Sequence, residues 1–222
     1  MNPTLIHWEQ KEQVGFFRAF WESLKLSMLE PSRFFDSVPM RGGYSNPLLY
    51  GLICISLGVV FSTFYQWVFN GFGALLQYVA NLPMKEVMMS TGFSMMLGVG
   101  MLVASPISAL INLFLYSGIY HLFLMMLGDG RNRYEATFRA YAYAQGPQLL
   151  QLIPFVGALV AMVWQYVILV IGFKKLQQAS TGQALAAALL PLVLICGLTF
   201  FAIFVIVLLV VLVAMAVGHH SV

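Results

Sequence analysis

Catalysis needs acids, bases, nucleophiles or metal ligands that converge, and this chain offers few. His121 stands in a long apolar stretch with no Glu or Asp one turn away, and neither an H-E-x-x-H motif nor a Cys/His cluster occurs. An ionisable group so placed is a candidate proton relay by default. A lone imidazole is nevertheless read first as an interhelical hydrogen-bonding group. His219 and His220 would need metal ligands from elsewhere, and Cys54 and Cys196 lie in apolar runs where a thiol behaves as a small hydrophobe. No catalytic residue, metal site or cofactor is therefore expected, and the protein is read as a non-enzyme.

Two other patterns have chemical content. Gln145, Gln148 and Gln151 recur every third residue, so on an α-helix they stay within an arc of about 120°. Arg139 precedes them near the inner interface, where it can snorkel, and Gln165 in the next apolar segment can face them. Such a stripe serves as interhelical glue at about 0.6 kcal/mol per bond, or lines a hydrated path or lipid-headgroup groove. The second pattern sets Phe16, Phe17, Phe20, Trp21, Phe34 and Phe35 beside Arg18, Lys25 and Arg33. Basic-aromatic surfaces suit an anionic leaflet, each basic group contributing about 1 kcal/mol, or a cytosolic protein partner. Arg18, Trp21, Lys25, Arg33, Phe34 and Phe35 are the residues expected to make that contact.

The elements that must carry these residues follow from composition. Of 222 residues, 60% are hydrophobic and 9% charged, against roughly 25% charged in a soluble domain, and mean hydropathy is +0.85. The chain is an all-α integral membrane protein, and its net charge of +3 marks sides of a membrane rather than affinity for nucleic acid. Residues 1–46 form a cytoplasmic N-terminal region without the apolar core of a cleaved signal peptide. Within it Phe17, Phe20, Trp21, Leu24 and Met28 repeat at helical spacing, which predicts an amphipathic interfacial helix ended by Pro31.

The membrane domain, 47–217, divides into five spans. The first, 47–69, has 23 uncharged residues, about 34 Å of helix against a hydrocarbon core of roughly 30 Å. A short helix on the far surface follows within 70–91. The second span, 92–127, is one long helix kinked near Pro106, or a shallow entry segment followed by a span from Pro106 to Leu127; the third, 136–153, is poor in lipophilicity; the fourth is 155–173; the fifth, 185–217, is tilted or broken at Pro191, leaving 218–222 as a tail. Ala136, Ala140 and Ala144 let another helix approach the third span closely, so it is expected to be enclosed by the other four. With five crossings Lys11, Arg18, Lys25, Arg33, Arg41, Arg131, Arg133, Arg139, Lys174 and Lys175 share one side, and Lys85 alone lies on the other. The positive-inside rule then puts the N-terminus in the cytoplasm and the C-terminus outside.

The Pro31-Ser-Arg-Phe-Phe-Asp36 lead-in, Tyr141-Ala-Tyr-Ala144 with Pro147 and Pro154, Trp164, and the Gly172-Phe-Lys-Lys175 exit resemble the YIP family of Ypt/Rab-GTPase-interacting membrane proteins, in its compact bacterial form. The similarity runs from about Pro31 to Gly197. It implies a five-span helical bundle with a cytosolic N-terminus and, in eukaryotic relatives, a role in vesicle trafficking through prenylated Rab GTPases. The expected function is a membrane scaffold that organises lipids or recruits a protein at the cytoplasmic face of a bacterial inner membrane, with homo-oligomers possible. The alternative is a small oligomeric transporter or channel using the glutamine stripe.

Overall fold

The computed structural model describes residues 5–80, 83–128 and 132–219, with α8 side chains described as far as Val211. Arg131, His220 and the last two residues of the tail lie outside the described residues. A 3-10 turn, His7–Gln10, leads into α1, Lys11–Val14. Gly15, at φ +93°, breaks the chain direction before α2, Phe16–Leu29. Pro31 occupies the first turn of α3, Pro31–Asp36, where its missing N–H costs nothing.

The long elements are α4, Ser45–Val79, α5, Met84–Met126, α6, Tyr134–Tyr143, α7, Gly157–Leu176, and α8, Thr181–His219. Among the described residues four helices are long and apolar enough to cross a membrane, within α4, α5, α7 and α8. Three exceed the crossing length: α4, α5 and α8, with 35, 43 and 39 residues, measure about 52, 64 and 58 Å. Among the described residues of 70–91 no separate far-surface helix forms; α4 instead runs on to Val79 and α5 begins at Met84. Pro106 and Pro191 sit inside helices that continue past them.

The expected third span, 136–153, departs most from expectation. It is not one long helix but the ten residues of α6 followed by a 3-10 segment, Gly146–Leu152. Pro147 causes the break, since it has no N–H to give an α-helical ladder. At about 1.5 and 2.0 Å per residue the two pieces together reach about 29 Å, and their contacts keep pace with α4. Tyr44 meets Phe138 at 5.1 Å and Tyr50 meets Tyr143 at 5.3 Å. Further along, Gln148 lies against Gly58, Tyr65 donates to the Leu152 carbonyl at 2.5 Å, and Phe69 meets Phe155 at 5.1 Å. Phe155 then reverses the chain at φ +64°, and α7 returns antiparallel.

Every residue of α6 from Ala136 to Tyr143 is buried, while the most apolar helix, α8, is almost wholly uncovered from Val193 to Val211. This inverts the rule for water-soluble proteins. A segment surrounded by protein on all sides needs no lipophilic surface. One facing lipid needs it everywhere.

Candidate functional site

Arg139 is the least expected feature of the interior. It sits one turn after Glu135 on α6, and its side chain is fully buried. The guanidinium donates from Nη1 to Glu9 Oε1 at 2.8 Å, from Nε to Glu135 Oε1 at 3.3 Å, and from Nη2 to the Gly43 carbonyl at 2.9 Å. The expectation that it snorkels is therefore corrected. The enclosed position of α6 closes the route to the interface, so the N-terminal region brings a carboxylate in to meet it.

Both carboxylates are satisfied beyond the ion pair. Glu9 also accepts from the Tyr143 hydroxyl at 2.5 Å and from Asn46 Nδ2 at 2.6 Å. Glu135 accepts from the Gly42 and Gly43 amides at 2.8 and 2.7 Å. Burial opposes ionisation of Glu135, but those two amides and Arg139 outweigh it and hold its carboxyl below the usual carboxylate range. A Cβ at Gly42 would lie 2.7 Å from Arg139 Nη2, so this turn requires glycine for both space and its φ of +153°.

The same N-terminal region is fastened elsewhere. Trp8 is completely buried, its backbone N–H donating to Ser23 Oγ at 2.9 Å and its indole to the Asn46 carbonyl at 2.7 Å. Trp164 of α7 donates to the Met28 carbonyl at 3.0 Å, and Lys175 meets Asp36 at 2.7 Å. Phe34 and Phe35, expected at a partner surface, are buried at 0% and 1% exposure. Phe34 packs on Tyr143 at 5.5 Å, and Phe35 lies against Gly172 where a Cβ would come within 2.9 Å. They wedge α3 between α6 and α7 and are unavailable to a partner.

What remains outside is a narrower face. α2 buries Ala19, Ser23, Leu24 and Ser27 against the bundle and turns Phe17 and Trp21 outward at 85% and 54% exposure. Arg18 and Lys25 accompany them; the Lys25 ammonium sits 5.4 Å from the Trp21 ring centroid and 3.5 Å from Glu22. Arg33 is exposed on α3 and paired with Glu30 at 3.2 Å.

His121 bonds Thr137 Oγ1 at 2.9 Å through Nδ1. The four glutamines form a single chain. Gln151 donates to Gln148, Gln148 to Gln165 at 2.8 Å, Gln165 to Gln145 at 3.1 Å, and Gln145 to the Tyr141 carbonyl at 3.1 Å. The 120° arc expected of an α-helix closes up here, because a 3-10 helix has three residues per turn and aligns every third side chain. Beside the chain lies a cavity of about 240 Å³ between α5, the 3-10 segment and α7. Sequence reasoning missed Tyr116 and Tyr120, whose spacing of four along α5 was the available signal; Tyr141 of α6 and Tyr166 of α7 complete the aromatic wall. Among the described residues no three His, Cys, Asp or Glu side chains gather as a metal site.

The comparisons extend this picture. The family model for the Yip1 domain matches residues 25–204, most of the chain. No curated protein and no solved structure matches.

Proposed function

The chain belongs to the Yip1 family of membrane proteins, and from that premise we propose that it is a non-enzymatic membrane scaffold that gathers anionic lipid or a protein partner at its basic end. The observation that carries this reading is the split character of α2. Its small residues are fixed to the bundle while Phe17, Trp21, Arg18 and Lys25 face outward. A surface displayed on so well-fastened a helix presents contacts without the entropy cost of ordering them on binding.

The orientation belongs to the same proposal: a bacterial inner membrane, N-terminus in the cytoplasm, C-terminus outside, where the basic end meets an anionic leaflet. A conduit through the glutamine stripe is the weaker reading, since those carboxamides hydrogen-bond one another rather than an open path.

Charge reversal, Arg18→Glu with Lys25→Glu, tests the scaffold. Mass spectrometry of material purified in native nanodiscs is expected to show about a thirtyfold loss of bound anionic lipid or co-purifying protein, from two basic contacts of about 1 kcal/mol each, with membrane insertion intact. Arg33→Glu, at a site already paired with Glu30, is expected to do less. Unchanged co-purification in the double variant would refute the proposal.

A further inference from the structure

The cavity beside the glutamine chain has an uncommon composition for its depth. Tyr116 and Tyr120 come from α5, Gln148 and Gln151 from the 3-10 segment, and Gln165 and Tyr166 from α7; no charged residue lines it. Gln165 lies nine residues before Lys174, about 14 Å from the basic end of α7. Gln148 packs on Gly58, thirteen residues into α4 and so about 20 Å along it. Both estimates place the cavity near the middle of a hydrocarbon core of roughly 30 Å. Its rim includes Met162, 46% exposed, so it opens sideways toward lipid rather than along the bundle axis.

Each carboxamide nitrogen carries two N–H groups, and the glutamine chain uses one on each. The second N–H groups make the wall donor-rich, joined by the tyrosine hydroxyls left over once Tyr141 donates to Asn112 at 2.8 Å and Tyr120 and Tyr166 bond each other. Water would have to reach it through hydrocarbon, and a charged group would be costly at this depth. A phospholipid is held at the interface by its phosphate and brings no polar atom to the midplane.

We propose that this cavity binds the uncharged, carbonyl-bearing group of a lipid that dissolves in the hydrocarbon core, its oxygens accepting from Gln148, Gln165 and the tyrosines while its tail leaves past Met162 toward the bilayer. A ring dione on an isoprenoid tail and the esters of a diacylglycerol share this chemistry. The inference stands apart from the scaffold proposal, which concerns the opposite character of surface at the basic end.

The full chain in phosphatidylcholine nanodiscs is exposed to diacylglycerol with a diazirine-bearing acyl chain, and in parallel to phosphatidylglycerol with the same chain. Labelled peptides are mapped by mass spectrometry. The expected result is diacylglycerol labelling within 158–169 that is competed by unlabelled diacylglycerol or by a decyl-substituted benzoquinone, the stronger competitor naming the source. Phosphatidylglycerol labelling there is expected to resist competition. Gln148→Leu and Gln165→Leu should each lower specific labelling about fivefold, as loss of one hydrogen bond implies. Met162→Trp, which fills the mouth without touching the glutamines, should lower it too. Equal labelling by both lipids, no competition by either compound, or undiminished labelling in Met162→Trp with both glutamine variants would overturn the proposal.

Discussion

Arg139 and Glu9 are separated by 130 positions and meet with no water-facing surface on the arginine. Two charges buried together are a poor source of stability, because desolvation cancels most of their attraction, yet removing one leaves the other stranded. Arg139→Met is therefore expected to destabilise the protein by about 3–5 kcal/mol, read as a lowered unfolding midpoint in detergent. Adding Glu9→Gln, which keeps an acceptor for Tyr143, should recover most of that loss. Glu135 supplies a second expectation, in pH. Its folded carboxyl titrates below the ordinary range, so its contribution is complete above the unfolded pKa and disappears as pH falls through the folded one. Unfolding midpoints should drop on the acid side, and Glu135→Gln should flatten that limb. Arginine in the segment was visible in sequence, but its partner was not. Glu9 lies in a polar stretch among other acids, and nothing in its local pattern distinguishes it from Glu12 or Glu22.

Among the elements, the break between α6 and the 3-10 segment decides where the glutamines point. Periodicity identified the residues and the role of Gln165 as their counterpart, but assumed an α-helix throughout. Pro147 was the sign that the geometry would tighten after Gly146. The turn that follows is as constrained. A Cβ on Gly157 would come 2.1 Å from the Leu150 carbonyl oxygen, a backbone atom that cannot step aside. Gly157→Ala should therefore cost at least the roughly 1–3 kcal/mol of an overpacked core and loosen the glutamine chain. Gly182→Ala, in α8 with no neighbour near its Cβ position, should be neutral or slightly stabilising through helix propensity. Thermal unfolding of the two variants side by side checks both. At the N-terminus the apolar spacing of α2 was legible, but its division was not. Hydropathy foresees the burial of Leu24 but not that Ala19, Ser23 and Ser27 join it on the packed face while Phe17 and Trp21 look outward, because close approach in a bundle favours small residues.

At the scale of the whole molecule, hydropathy reports what lipid sees, and so it found the apolar helices while misjudging what lies among them. The charge count was more informative. Asn132 donates through its backbone to Gln177 at 2.9 Å and through Nδ2 to the Leu176 carbonyl at 2.7 Å. These bonds join the chain just before α6 to the chain just after α7, so Arg133 and Lys175 occupy one end of the bundle. Glu9, Lys11 and Asp36 are fastened to that same end. The segment between goes out alongside α4 and comes back as α7, whatever label its outward half receives. Lys85 begins the far end of α5. Single cysteines at Arg133 and at Lys175, in a variant with Cys54 and Cys196 replaced by alanine, should thus react with a membrane-impermeant maleimide from the same face. A cysteine at Lys85 should react only from the other. Labelling of Arg133 and Lys175 from opposite faces would break the hairpin formed by α6, the 3-10 segment and α7. It would also split the shared basic end, carrying Lys174 and Lys175 to the leaflet opposite Arg133.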